Sequence, residues 1–323
     1  MMNDSIALIL AYYNGSEFVE TALLSAFNQI IPFDEIIIVN DGSNDEESLI
    51  IEELCLKYKK YPIQYYKKEN GGQGSARNLG CYKSNVRYIT FLDQDDILLP
   101  EHNNVLLNEF KKYSIVNYGV VYGNFATVQS DGRCISRNSR PSVDINTTPS
   151  IYNFIWQDIF ILPSASMIDK EAFVAVGGFD EQFKGYEDDD LFIRIFRAGF
   201  RFSFVNEEVY MWRMHKNQTS STHKMLRSRI KFIEKWFDNG YESSINVNLI
   251  RTGLYNRFKR VILKDRLDAI SADDHVLAKE NIQYFLRRFQ DVQSLKDRVV
   301  FIMFYSLPVS VSRALFTFFK KLT

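Results

Sequence analysis

Arg87-Tyr88-Ile89-Thr90-Phe91-Leu92-Asp93-Gln94-Asp95-Asp96 is an apolar strand pattern that runs into three carboxylates around one glutamine. A buried strand ordinarily ends in a turn of Gly, Asn or a single Asp. Carboxylates at alternate positions, Asp93 and Asp95, repel and raise each other's pKa unless a positive group lies between them. A divalent hard cation supplies that charge, because Mg²⁺ and Mn²⁺ take oxygen ligands and share them with substrate phosphates. The position agrees, since ligands of open α/β sheets bind beyond the carboxyl ends of the strands. The structural alternative is an acidic loop capping a helix that begins after Pro100.

The residues around this segment alternate strand and helix patterns. Ser5–Ala11 reads as a strand, and Ser16 caps a helix with Phe18, Ala22 and Ala26 on one face. A strand at Glu35–Val39, a helix from about Glu46 to Tyr58 and a strand at Ile63–Lys67 follow. Gly71-Gly72-Gln73-Gly74 breaks the chain before a helix near Ser75–Lys83, and Tyr88–Leu92 is the fourth strand. Such alternation predicts a mostly parallel, doubly wound α/β sheet. Farther on, Val120–Val128 and Cys134-Ile135 predict a hairpin around Ser130-Asp131-Gly132. A helix near Ile151–Phe160, a strand at Ser164–Ile168 and a helix at Asp188–Ala198 come next, with strands at Phe202–Val205 and Val209–Trp212. From Lys224 the pattern is helical and basic, which sets a boundary near residue 220 and two domains, 1–220 and 221–323.

A chain that is 46% hydrophobic and 15% aromatic can build a substantial core and is not disordered. The net charge of −1 hides an asymmetry: residues 1–223 hold 20 Lys/Arg against 30 Asp/Glu, and the rest 19 against 10. The acidic part suits a metal-dependent site, and the basic part, with a balance of +9, suits an anionic surface. A nucleic-acid partner is disfavoured, because the basic residues are scattered over helices without Gly-aromatic interleaving. Cys55, Cys81 and Cys134 lack metal-type spacing and read as reduced core thiols of a cytosolic protein. No Lys or Arg precedes Lys57, and no apolar span of about 20 residues appears, so neither a signal peptide nor a bilayer span is expected.

Other strand ends carry further candidates. Tyr12, in Ala11-Tyr12-Tyr13-Asn14, is placed to stack on a base, and Asp41, in Asn40-Asp41-Gly42-Ser43, to accept from a base N–H or a ribose hydroxyl. An ordinary Asp-Gly turn is the alternative for the latter. Asn70–Asn78 brings flexible backbone and the Arg77 guanidinium to the same rim, which suits a diphosphate. In Gly185-Tyr186-Glu187-Asp188-Asp189-Asp190, acidic residues at a helix start gain from the helix dipole, while Glu187 or Asp188 can point into a cleft as a general base. Asp190 can alternatively pair with Arg194 one turn later.

This ordered set, together with Gly177-Gly178-Phe179-Asp180-Glu181, resembles the family 2 glycosyltransferases over roughly residues 5–220. Ala11-Tyr12 stands where Pro-x is commoner in that family. The resemblance implies the GT-A nucleotide-sugar-binding fold, a Rossmann-like mostly parallel sheet flanked by helices. By position it implies Tyr12 and Asp41 on the nucleoside and Arg77 near the base or phosphates. Asp93 would face the ribose or metal, Asp95 would ligate Mn²⁺ or Mg²⁺, and Asp188 would be the catalytic base. His215 matches a position that approaches the metal or the diphosphate. The implied reaction moves a sugar, UDP-linked by expectation, to a hydroxyl of a glycan or lipid-linked glycan in surface-polysaccharide synthesis. A single displacement with one base inverts configuration. A non-catalytic nucleotide-sugar-binding or scaffold protein is the competing class. A nicotinamide dehydrogenase is more distant, since the first strand lacks dinucleotide glycines.

The C-terminal tail predicts one amphipathic helix. Phe301, Phe304, Pro308, Val311, Leu315, Phe318, Phe319 and Leu322 recur at three- and four-residue steps, opposite Arg313, Lys320 and Lys321. That pattern points to peripheral binding on the inner face of the cytoplasmic membrane, with a terminal helix packed on the catalytic domain as the alternative.

Overall fold

The computed structural model describes residues 4–112, 117–137, 154–155, 161–215, 223–238, 247–269 and 272–320. The chain divides into two compact units, Met1–Ile151 with Ile159–Gln218, and Tyr152–Asp158 with Thr219–Thr323.

In the first unit, Ile6–Tyr12 forms β1, an almost wholly buried strand. Such a continuous apolar run belongs at the centre of a parallel sheet covered on both faces. It pairs in parallel with β2 (Glu35–Asn40) on one side and β4 (Tyr88–Asp93) on the other, and β3 (Ile63–Lys67) flanks β2. The helices α1 (Ser16–Phe27), α2 (Asp45–Lys57) and α3 (Gln73–Lys83) connect them. Ser16 does not cap α1 with its own side chain. Glu47, in the first turn of α2, does that work, accepting from the Ser16 N–H (3.0 Å) and hydroxyl (2.8 Å).

The second half of the unit extends the sheet. It supplies β5 (Ile97–Leu98), α4 (His102–Lys112), β6 (Tyr118–Gln129), β7 (Cys134–Ser136), β8 (Ser166–Asp169), α5 (Lys170–Ala175), α6 (Glu187–Arg197) and β9 (Arg201–Met214). The strand order is β3-β2-β1-β4-β8-β6-β9-β5, with β7 on β6. β8 runs antiparallel to both β4 and β6, while β6 and β9 are parallel. The two strands predicted at Phe202–Val205 and Val209–Trp212 are one strand, β9. The polar residues Asn206-Glu207-Glu208 mark a register irregularity opposite Gly123–Phe125, where Asn124 donates to the Asn206 side chain (3.1 Å). The helix predicted at Ile151–Phe160 lies outside the described residues except for Phe154 and Ile155. Of the three free cysteines, Cys81 is buried and Cys55 half-buried, but Cys134 is exposed on β7 and is not a core thiol.

The second unit holds α7 (His223–Asp238), α8 (Val247–Asp268), α9 (Ala272–Arg288), α10 (Leu295–Ser306) and α11 (Val309–Lys320). Phe232, Phe258, Phe285, Phe289 and Phe301 are fully buried among these helices. The single amphipathic tail helix is not observed. Leu307 is extended before Pro308, which separates α10 from α11. Phe301 and Phe304 of the expected stripe are buried, Phe301 against the Phe285 ring at 5.2 Å. Among the described residues, no helix is long and apolar enough to cross a membrane.

Candidate active site

The acidic segment after β4 is a tight turn closed by the Asp96 N–H on the Asp93 carbonyl (3.1 Å). Asp96 points inward. It accepts from the Tyr210 hydroxyl and from the Arg213 N–H (2.8 Å), both on β9. Burial, with Asp95 and Asp93 adding to it, raises the Asp96 carboxyl well above its ordinary value. Burial likewise raises the Tyr210 hydroxyl, with Asp96 beside it. Gln94 clamps the end of β1, accepting from the Tyr13 N–H (2.8 Å) and donating to its carbonyl (3.1 Å). The clamp requires a glycine at position 15, where a Cβ would lie 2.2 Å from the Gln94 side chain.

With Asp96 and Gln94 fixing the turn, Asp93 and Asp95 stay at the rim, their side chains 30% and 24% exposed. They face different partners. Asp93 Oδ1 accepts from Gln73 Nε2 (2.6 Å) and from an Arg77 guanidinium nitrogen (2.6 Å). Asp95 Oδ2 meets His215 Nε2 at 2.7 Å, and the His215 ring lies 5.1 Å from Phe18. Burial raises the Asp95 carboxyl, Asp93 adds to that, and His215 opposes it. Of the three predicted metal ligands, Asp95 and His215 meet, while Asp93 turns to Arg77. Among the described residues no three His, Cys, Asp or Glu side chains are gathered around a common point. The Asp95 carboxylate, crowded by a second carboxylate on an open rim, nevertheless fits Mn²⁺ or Mg²⁺, and the His215 imidazole, a nitrogen donor, fits Mn²⁺ better than Mg²⁺.

Arg77 is turned inward, away from solvent. The guanidinium is buried, with one terminal nitrogen on Asp93 and the other on Asp188 (2.8 Å). The helix α3 turns it inward onto the faces of Phe91 and Phe179, 5.4 and 5.3 Å from the ring centroids. Asp188 stands in the first turn of α6, where the four residues Glu187–Asp190 gain from the helix dipole. Tyr186, before it, holds the left-handed conformation (φ 66°), rare for a side-chain-bearing residue, and so sets the angle at which the helix starts. Burial raises the Asp188 carboxyl well above its ordinary value; Arg77 opposes this, and Glu187 and Asp93 add to it. Glu187 is buried, whereas the Asp188 side chain is 32% exposed, so of the two carboxylates predicted as base Asp188 is the one open to solvent. Asp190 is buried on Arg194 (2.8 Å), the helical pair its spacing allowed.

Two nucleoside candidates differ from their sequence reading. Tyr12 is fully buried with its hydroxyl on Glu47 (2.5 Å), so its ring is unavailable for stacking on a base. The next residue, Tyr13, lies just past the end of β1 and is 46% exposed. Asp41 accepts from Lys68 Nζ (2.9 Å) and from the Gly71 (2.9 Å) and Gly72 (2.7 Å) N–H groups. It organises the glycine loop, with three of its roughly four acceptor positions filled. Gly72 is itself at φ 89°, a conformation glycine adopts freely. Sequence reasoning missed Gln73, Gln94 and Glu47, polar residues within helical or turn patterns whose partners are remote in the chain.

The family model described as glycosyl transferase family 2 matches residues 7–177, and one described as the N-terminal domain of galactosyltransferase matches residues 160–218. An uncharacterised glycosyltransferase of Rickettsia prowazekii is 27% identical over 310 residues, covering 93% of this chain and 87% of its own length. The minor teichoic acid biosynthesis protein GgaB of Bacillus subtilis is 29% identical over 73% of this chain, which spans 25% of that protein. Among solved structures, S. aureus TarS 1-349 in complex with UDP-GlcNAc superposes with a TM-score of 0.68 at 16% identity, covering 98% of this chain and 92% of that one. The shared architecture is the GT-A fold.

Proposed function

Because this chain belongs to glycosyl transferase family 2, we propose that it is a metal-assisted, inverting transferase that moves one hexosyl or N-acetylhexosaminyl group from a UDP-sugar. The acceptor is a hydroxyl of a glycan or lipid-linked glycan in surface-polysaccharide assembly. The observation that carries the reading is the convergence of Asp93, from the end of β4, and Asp188, from the start of α6, on one guanidinium. Donor-side and acceptor-side carboxylates thereby share one rim. The UDP-GlcNAc held by TarS and the teichoic-acid role in the GgaB name support the donor and acceptor classes.

Asp188 removes the acceptor proton, and its raised pKa brings it closer to the pH at which a general base is most efficient. The acceptor oxygen then attacks the anomeric carbon from the face opposite the departing nucleoside diphosphate, and one displacement inverts configuration. Asp95 and His215 would hold Mn²⁺ or Mg²⁺, with Asp93 on the donor side; the cation, when bound, neutralises charge building on the diphosphate. Tyr13, exposed beside the Gln94 clamp, takes over the base contact assigned to Tyr12, and Asp41 supports the nucleoside through the loop it organises.

The test is a panel of nucleotide sugars with and without Mn²⁺, read by thermal stabilisation and by donor hydrolysis. A UDP-sugar at about 100 times its Kd should stabilise by about 2.7 kcal/mol only when the metal is present. Stabilisation with no hydrolysis and no transfer would favour the scaffold class.

The membrane partner we assign to the outer face of α10 in place of the tail stripe. Leu295, Val299, Ile302 and Tyr305 recur along that face and are exposed, with Lys296 and Arg298 beside them. An exposed apolar stripe next to cations, in the part of the chain that carries +9, suits the anionic inner surface of the cytoplasmic membrane. The Val299→Asp/Ile302→Asp variant should no longer float with anionic liposomes at low salt. Equal flotation of variant and parent would sink the assignment.

A further inference from the structure

Arg77 is among the largest fully buried side chains. A guanidinium so deeply removed from water persists only when its charge is paired and its donors are used. Here α3 sends it against Phe91 and Phe179, which pack edge to face beside it, and its two terminal nitrogens reach carboxylates 16 and 111 residues away in sequence. A ligand phosphate could reach Arg77 only by displacing Asp93 or Asp188.

We infer that Arg77 is a positioning residue that fixes the acceptor-side carboxylate, Asp188, against the donor-side carboxylate, Asp93, and is not itself a ligand of the nucleotide. The inference rests on the proposed role of Asp188 as base. A guanidinium is a rigid planar fork, so two oxygens bound to its two terminal nitrogens are held at a set separation. Gln73 makes one end of that ruler firm by donating to the same oxygen of Asp93 that Arg77 uses. The two rings, packed edge to face, back the guanidinium on its buried side. Lysine carries the same charge but is a point donor on a flexible stem, and it cannot fix both oxygens. Without the fork, Asp93, Glu187 and Asp188 repel one another, and Asp188 moves off the line of attack.

The test is a double-mutant cycle on the full chain with Arg77→Lys and Asp188→Asn, reading transfer kcat, acceptor KM and UDP affinity by calorimetry. Arg77→Lys should lower kcat roughly 100-fold, the scale of a 1 Å misplacement at a reacting centre. UDP affinity should stay within about threefold. On the Asp188→Asn background the same change should cost almost nothing, since residues that act as a unit are not additive. A fall in UDP affinity that matches the fall in kcat would make Arg77 a nucleotide ligand and overturn the inference. Costs that multiply across the cycle would overturn it too. Full transfer by Asp188→Asn alone would instead sink the base assignment beneath it. Should Arg77→Lys fail to fold, Phe179→Leu removes one aromatic face and leaves every charge in place. It should lower kcat roughly two- to fivefold with UDP affinity unchanged, and no change in kcat would count against the inference.

Discussion

The two acidic runs, Asp93–Asp96 after β4 and Glu187–Asp190 at the start of α6, look alike in sequence and divide their work in the same way. Each run spends a carboxylate on structure. Asp96 takes the Tyr210 hydroxyl and the Arg213 N–H, and Asp190 takes Arg194, both out of contact with water. Each run also leaves carboxylates at the rim, Asp93 and Asp95 in one and Asp188 in the other. They differ in how the rim carboxylates are aimed. The first run is a turn braced by strand β9 and the Gln94 clamp, so remote partners fix it. The second is aimed by its own backbone, through the left-handed Tyr186 and the helix that follows. A run of like charges therefore does not mark a site evenly; the partner each carboxylate finds decides which one does chemistry.

The largest separation between structural and rim carboxylates should come from Asp95→Ala. Metal dependence and donor binding should both disappear in calorimetry while the melting temperature holds. Full activity in excess chelator would return the first run to a structural turn.

Asp96→Ala should do the reverse. It strands two buried donors, each costing about 1–3 kcal/mol, so stability should fall by about 3–4 kcal/mol. Asp190→Ala should cost about 2–3 kcal/mol, less because Arg194 is partly exposed and also reaches the Val176 carbonyl. Denaturant melts measure both, and a larger loss for Asp190→Ala would reverse the ranking of the two braces.

A smaller effect distinguishes the runs by pH. His102 is buried behind the first run, near Ser164, whose hydroxyl accepts from the Asp93 N–H. Burial lowers the His102 pKa from 6.5 to about 4. A histidine depressed by folding is neutral in the native state and takes up a proton on unfolding. Its contribution is therefore intact above pH 6.5 and is lost as pH falls towards 4, at most about 3 kcal/mol. His102→Gln should flatten that part of the stability profile. An unchanged slope would show that other groups set it.

Much of this arrangement was legible before the structure. The buried runs at Ile6 and Glu35, the glycine break before α3 and the dipole-favoured start of α6 are local signals, and each element formed within a few residues of its expected place. Legibility failed where the answer depended on a remote partner or on where an element ends. Tyr12 and Tyr13 are chemically the same, and what separates them is where β1 ends: Tyr12 is its last, buried residue and Tyr13 lies one beyond it. Arg77 reads as a phosphate ligand until Phe91, Phe179 and Asp188 are seen to enclose it. The strand β9 reads as two because its polar middle is an irregularity against β6, which joins it from some 80 residues away. The tail read as one helix because its three- and four-residue spacing runs straight through Pro308.

The central claim is that Asp188 serves proton removal and leaves donor grip to the other run. Measuring UDP affinity and transfer rate together on Asp188→Asn tests it most directly. Transfer should fall about 10²–10⁴-fold, the cost of losing a general base, while metal-dependent UDP affinity stays close to that of the parent. Loss of UDP affinity in step with activity, or transfer at the parental rate, would contradict the account.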